Sequence, residues 1–152
     1  MSLKRNVSAA LGVIYLGALA SVALAHSGAT GIVKERMDGM LELGKALKAL
    51  SAEAKNPSPS TSVVNQIGAS IVAQSGERLA ERFPEGSFPT VSEANPIIVD
   101  EMDKFLQLST ALQTLGVSLS IKKEFSPDEL RETLAALGDN CKACHAEYRI
   151  EK

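Results

Sequence analysis

Beyond residue 30 the apolar side chains recur at steps of three and four, the spacing of one face of an α-helix. Over residues 31–54, Val33, Met37, Met40, Gly44 and Leu47 keep this rhythm, with Leu41, Leu43 and Leu50 beside them. The run Asn56-Pro57-Ser58-Pro59-Ser60 ends that helix. A second helix is expected from Thr61 or Ser62 to about Arg82, on a weaker stripe of Val64, Ile67, Ile71 and Leu79. Gly68, Ser75 and Gly76 dilute it, and such small residues permit the close approach of a neighbour. Two aromatic rings, Phe83 and Phe88, then sit in a segment punctuated by Pro84, Gly86 and Pro89, which reads as an ordered loop.

The third helix is expected to open at Ser92 or Asn95, with Pro96 in its first turn. Ile98, Met102, Phe105, Ser109, Leu112, Gly116 and Leu119 carry its stripe, and fraying is expected between Gly116 and Ser120. The fourth begins at Ser126-Pro127-Asp128-Glu129, a cap, a first-turn proline and early carboxylates that suit the helix dipole. Leu130, Leu134, Leu137, Cys141, Cys144 and Tyr148 follow at steps of four and three, the cleanest stripe in the chain. Four amphipathic helices with short connections predict an all-α fold, an antiparallel four-helix bundle.

The beginning of the chain changes this picture. Lys4 and Arg5 precede an apolar stretch over residues 7–19, and Ala23-Leu24-Ala25 has the small-x-small pattern of a signal-peptidase site. Residues 1–25 are expected to be a secretory signal, leaving residues 26–152 as the mature bundle and the periplasm as its compartment. The apolar stretch is short for a membrane span. Losing two bases and no acids moves the formal charge from −2 to −4, a mildly acidic balance with no footprint for nucleic acid.

Only two cysteines are present, and both lie in Cys141-Lys142-Ala143-Cys144-His145. Cys-x-x-Cys-His is the attachment signature of a c-type haem: two thiols add across the vinyl groups and the imidazole becomes an axial iron ligand. A dithiol oxidoreductase would want a strand–helix context that the chain lacks, and would leave His145 unexplained. A zinc site would need more ligands than His26, the one further histidine, can supply. Because the thiols fall on the apolar stripe, the haem is expected among the helices, pinned to the last one.

A C-terminal helix ending Cys141-Lys142-Ala143-Cys144-His145-Ala146-Glu147-Tyr148-Arg149 resembles the class II cytochromes c, the cytochrome c′ superfamily. Residues 33–40, Val-Lys-Glu-Arg-Met-Asp-Gly-Met, are similar to that family's first helix. Residues 83–87 look like the loop between its second and third helices, and residues 92–96 like the start of its third. Aromatic residues that many members carry just after that point are replaced here by Val99 and Met102.

The resemblance implies Cys141 and Cys144 as attachment points for one covalent haem c and His145 as the proximal ligand. It implies Arg36 and Met37 as distal-side neighbours of the haem, and Arg149 as a basic residue near the proximal histidine. From the residues alone, Arg36 is equally a solvated charge paired with Glu35 or Asp38, or a partner for a haem propionate. Arg149 equally complements the dipole of the helix end. Met40 occupies the position of the distal residue, and a methionine there is what the low-spin branch of the family uses. The rival is that Met40 packs over an open iron.

The expected function is a one-electron carrier rather than an enzyme, with His145 and Met40 as axial ligands, redox proteins as partners and a homodimer as one possible assembly. The alternative is a five-coordinate haem protein that binds nitric oxide or carbon monoxide. A peroxidase would want a distal acid–base group that the first helix does not offer. Because an absent cofactor leaves a cavity that side chains do not fill, joint replacement Cys141→Ala and Cys144→Ala is expected to give a loosely folded protein. Native-like cooperative thermal melting of that variant would refute this.

Overall fold

The computed structural model describes residues 28–150. The expected signal over residues 1–25, and His26 with it, lie outside the described residues. Five helices follow in order: α1 (Gly31–Glu53), α2 (Thr61–Ala73), the single turn α3 (Glu77–Ala80), α4 (Met102–Ile121) and α5 (Pro127–Tyr148). A 3-10 turn, Pro96–Ile98, precedes α4. The described residues contain no β-strand, only an isolated antiparallel bridge between Ala94 and Arg149. No helix among them is long and apolar enough to cross a membrane.

The long helices α1, α2, α4 and α5 each pack on two others, closing the expected bundle. Their inward leucines, isoleucines and valines form one core, in which Leu50 of α1, Val64 and Ile71 of α2, and Leu130 and Leu137 of α5 are fully buried. A smaller cluster of Leu79, Phe83, Ile98, Phe105 and Tyr148 occupies one end. Met40 packs against both.

Local chemistry explains where the helices start and stop. Ser126 Oγ accepts the Glu129 N–H at 3.2 Å while a Glu129 carboxylate oxygen accepts the Ser126 N–H at 2.9 Å, a complete capping box at the start of α5. The Glu53 carboxylate accepts the Ser60 N–H at 2.8 Å and ties down the proline-rich turn between α1 and α2. Asn95 caps the 3-10 turn by accepting the Ile97 N–H, with Pro96 as its first residue.

Three sequence expectations fail, two of them for a tertiary reason. The second helix does not run to Arg82. It stops at Ala73, because Gly76 takes a left-handed φ of +70° and exchanges two hydrogen bonds with Ser109 of α4. The third helix starts late, at Met102, and does not fray: α4 stays regular to Ile121. Asn65 of α2 donates to the carbonyls of Leu119 and Lys122, satisfying groups that a helix end otherwise leaves open.

The stripe on α1 is also turned by about one residue. Val33, Arg36, Gly39, Leu43, Ala46 and Leu50 are the buried set. Met37, Met40 and Leu47 sit half-buried at its margin, while Gly44 and Leu41 face outward. Gly138, three residues before the haem motif, is exposed with no atom near its missing Cβ.

Gly68 matters most for the bundle. A Cβ there would lie 2.5 Å from Ser120 N, 2.6 Å from Gly116 O and 2.8 Å from Leu119 C, all backbone atoms that cannot swing aside. The α2 and α4 backbones are therefore in direct contact. Helix propensity alone would favour alanine by about 1 kcal/mol, but overpacking costs about 1–3 kcal/mol even where side chains can yield. Gly68→Ala is expected to lower the urea midpoint of the haem-loaded protein, whereas Gly44→Ala, which meets nothing within 4 Å, raises it. Equal behaviour of the two would refute the close helix contact.

Candidate cofactor cleft

Where the aromatic cluster meets the surface, α1 and α5 diverge around a cleft of about 450 Å³, within the range of small-molecule and cofactor sites. Met37, Met40 and Leu41 of α1 line one part of it, and Cys144, His145 and Tyr148 of α5 another. Phe83, Ile98 and Phe105 contribute apolar surface, and residues 91–94 close a further side. Six of the seven residues singled out by sequence thus converge here: Arg36, Met37, Met40, Cys144, His145 and Arg149. Cys141, one turn earlier on α5, is half-buried and does not line the cleft.

Arg36 is the least expected of them. It is neither solvated nor paired with its neighbours on α1, since Asp38 takes Lys34 instead. Its side chain is 4% exposed and makes five hydrogen bonds. Nε and Nη2 both donate to the Arg82 carbonyl, at 3.1 and 2.8 Å. Nη2 also reaches the carbonyl and hydroxyl of Ser87, at 3.1 and 2.7 Å, and Nη1 reaches the Ser92 hydroxyl at 3.0 Å. The guanidinium lies 4.1 Å from the Phe83 ring centre and 5.2 Å from that of Phe88. Burial pulls its pKa down, and the rigid fork of donors offsets that cost. No carboxylate among the described residues pairs with it.

The opposite boundary is a clasp between the end of α5 and the segment before α4. Asn95 N–H donates to the Tyr148 carbonyl at 2.9 Å, and Ile150 N–H to the Glu93 carbonyl at 2.7 Å. Arg149 leaves the helix with extended dihedrals, so it does not continue the face of His145. Its Nε and Nη2 reach a Glu93 carboxylate oxygen at 2.8 and 2.6 Å, while its own N–H still donates to the His145 carbonyl. The Tyr148 hydroxyl donates to Glu101 at 2.9 Å, and burial followed by that hydrogen bond pushes its pKa up to about 12. Phe105 stacks edge-on against both Tyr148 and Phe83, joining the two sides.

Partial burial lowers the His145 pKa, with the Arg149 charge as a second cause, so the imidazole is held neutral and able to present a nitrogen lone pair. Burial raises both thiols, Cys144 to about 11. These residues fit a flat, mostly apolar ring bearing carboxylates. The walls are apolar, thiol and imidazole come from one helix, thioethers from another, and a buried guanidinium without an anion lies in the rim.

The family model for cytochrome c′ matches residues 31–149. The chain belongs to the cytochrome c′ family. It is 32% identical over 114 residues to a cytochrome c-556 of Agrobacterium tumefaciens, covering 74% of this chain and 90% of that one. It is 26% identical over 153 residues to a cytochrome c′ of Rhodopseudomonas palustris, covering 99% of each. The solved structure of cytochrome c′ from Rhodopseudomonas palustris superimposes with a TM-score of 0.70 at 25% identity, over 82% of this chain and 99% of that one. Like its family, the protein carries covalently bound haem c, and the four-helix architecture is the family's own.

Sequence reasoning overlooked the roles of Glu93, Ser87 and Ser92: Ser92 reads only as a candidate helix cap, and the other two carry no signal of their own. Their signal lay in the segment's likeness to the family, which marked position without telling what each side chain touches. Removing the Arg36 side chain takes the side-chain donor from the Arg82 and Ser87 carbonyls and from the Ser87 hydroxyl oxygen, and leaves Ser92 Oγ with only the Ala94 N–H. Arg36→Ala is therefore expected to cost about 2–4 kcal/mol in urea unfolding of the haem-loaded protein. Arg36→Lys should recover only a part, since one ammonium cannot span three anchor residues; full recovery would refute the anchoring role.

Proposed function

We propose that the protein is a periplasmic one-electron carrier, exported by cleavage after Ala25, with Cys141 and Cys144 bonded to haem c and His145 and Met40 as axial ligands. Supporting this reading above all is the convergence of Met40, from the first helix, and His145, from the last, on one cleft. When bound, the haem would supply reversible one-electron exchange at iron; His145 and Met40 would hold the iron, and an imidazole with a thioether as ligands would favour electron transfer over catalysis.

The chain's own residues do the remaining work. The two thioethers keep the cofactor on the protein in both oxidation states. Phe83, Ile98 and Phe105 exclude water from the buried side. Arg36, whose charge meets no anion among the described residues, offers a partner to a cofactor carboxylate while it holds residues 82–92. Met37, beside it on the cleft wall, is read as a ring contact rather than a ligand. No second histidine lies among the described residues, and the α1 wall offers no acid–base group, which favours a carrier over a peroxidase. Redox proteins are the proposed partners.

One observation favours a second reading, an open iron that binds nitric oxide or carbon monoxide. Met40 packs against both apolar clusters and so has a structural role without any metal. The spectrum of the oxidised protein separates the two. A low-spin spectrum is expected, converting to high-spin with rapid carbon monoxide binding in Met40→Ala. A parent protein already high-spin would establish the gas-binding reading, and a low-spin Met40→Ala variant would mean a different sixth ligand.

A further inference from the structure

The clasp at the end of α5 holds a charge in place beside the proximal side of the cleft. Arg149 is the residue next after the helix, bonded through its N–H to the His145 carbonyl at 3.1 Å. Nothing on α5 fixes its guanidinium. What fixes it is Glu93, which comes from a separate segment and takes both Nε and Nη2 on one carboxylate oxygen, at 2.8 and 2.6 Å. Glu93 and Arg149 both line the cleft with His145. The two backbone bonds that flank the pair, Asn95 to Tyr148 and Ile150 to Glu93, keep Glu93 in register whatever its side chain is.

We infer that Glu93 is a positioning residue for the redox centre: it holds the Arg149 guanidinium next to His145 and thereby raises the reduction potential of the iron. The inference rests on His145 being the proximal ligand. Reduction adds one negative charge at the iron, so a cation held nearby favours the ferrous state, and one released into solvent favours it less.

Two effects compete when Glu93 loses its charge. Removing an anion from the cleft wall by itself would raise the potential. Freeing Arg149 would lower it, because the arginine side chain is more than half exposed and has water to move into. Chain connectivity decides in favour of the second. Arg149 is tied to the turn that carries His145 by its N–H bond to the His145 carbonyl, whereas Glu93 belongs to a separate segment and meets the end of α5 through its bonds to Arg149 and Ile150. The pair is partly exposed, so its influence must weaken with salt as the Debye length falls from about 10 Å at 0.1 M to about 3 Å at 1 M.

The test is a spectroelectrochemical titration of full-length, haem-loaded Glu93→Gln, Arg149→Gln, the double variant and Glu93→Asp, each at low and high salt. Glu93→Gln and Arg149→Gln should both lower the midpoint potential. With Arg149 already replaced no guanidinium is left to free, so the double variant should lie at or slightly above Arg149→Gln and never below it. Glu93→Asp should recover part of the shift, and all shifts should shrink at 1 M salt. A potential that rises in Glu93→Gln would make Glu93 a mere counter-charge and overturn the inference, as would a potential that does not move. A His145→Ala variant that keeps the parent spectrum would remove the ligand assignment itself; unmoved potentials with that assignment intact would remove only the role of Glu93.

Discussion

A guanidinium withdrawn from water, and given no anion among the described residues, is the interaction on which the functional end of this molecule depends. Charges are rarely buried unless their hydrogen-bonding capacity is met. Arg36 meets most of that requirement with neutral oxygens drawn from Arg82, Ser87 and Ser92. A loop without secondary structure of its own thereby becomes a wall. The arrangement also leaves a cation without an anion of its own on a mostly apolar cleft, suited to a cofactor whose ring wants to be dry and whose carboxylates want a cation.

The other wall is held differently. Between residues 93–95 and 148–150 the link is a short stretch of backbone pairing with one exposed ion pair beside it. Exposed pairs contribute little to stability, so the backbone bonds hold the clasp. The two sides are thus held differently: by the buried Arg36 and its neutral oxygens on one, and by backbone pairing with the Arg149–Glu93 ion pair on the other. Below both, the bundle core is apolar and tight, down to backbone contact at Gly68 and Gly116.

Much of this was legible in the chain. The three-and-four rhythm marked the four long helices, the Ser126–Glu129 cap and Asn95-Pro96 marked starts, and the haem motif with its flanking residues pointed to the family. Periodicity failed where a polar residue is buried or an apolar one exposed. It placed Leu41 and Gly44 with the inward stripe of α1 and left Arg36 open between a solvated charge and a propionate partner, because a stripe drawn from hydrophobicity cannot count an arginine whose partners lie some fifty residues away. The glycines were ambiguous in the same way. Gly76 breaks a helix, Gly116 does not, and only their neighbours on other helices tell them apart.

By itself the sequence determined the fold class and the covalent haem c, and it marked Cys141, Cys144, His145 and Met40 as candidates, because these follow from residue type at fixed spacing along a helix. The tertiary structure alone decided that Met40 and His145 share a cleft, that Arg36 is a buried anchor, and that Glu93 steadies Arg149. Those are contacts between segments far apart in the chain. Their geometry depends on how two helix ends and two loops pack, which no local period encodes.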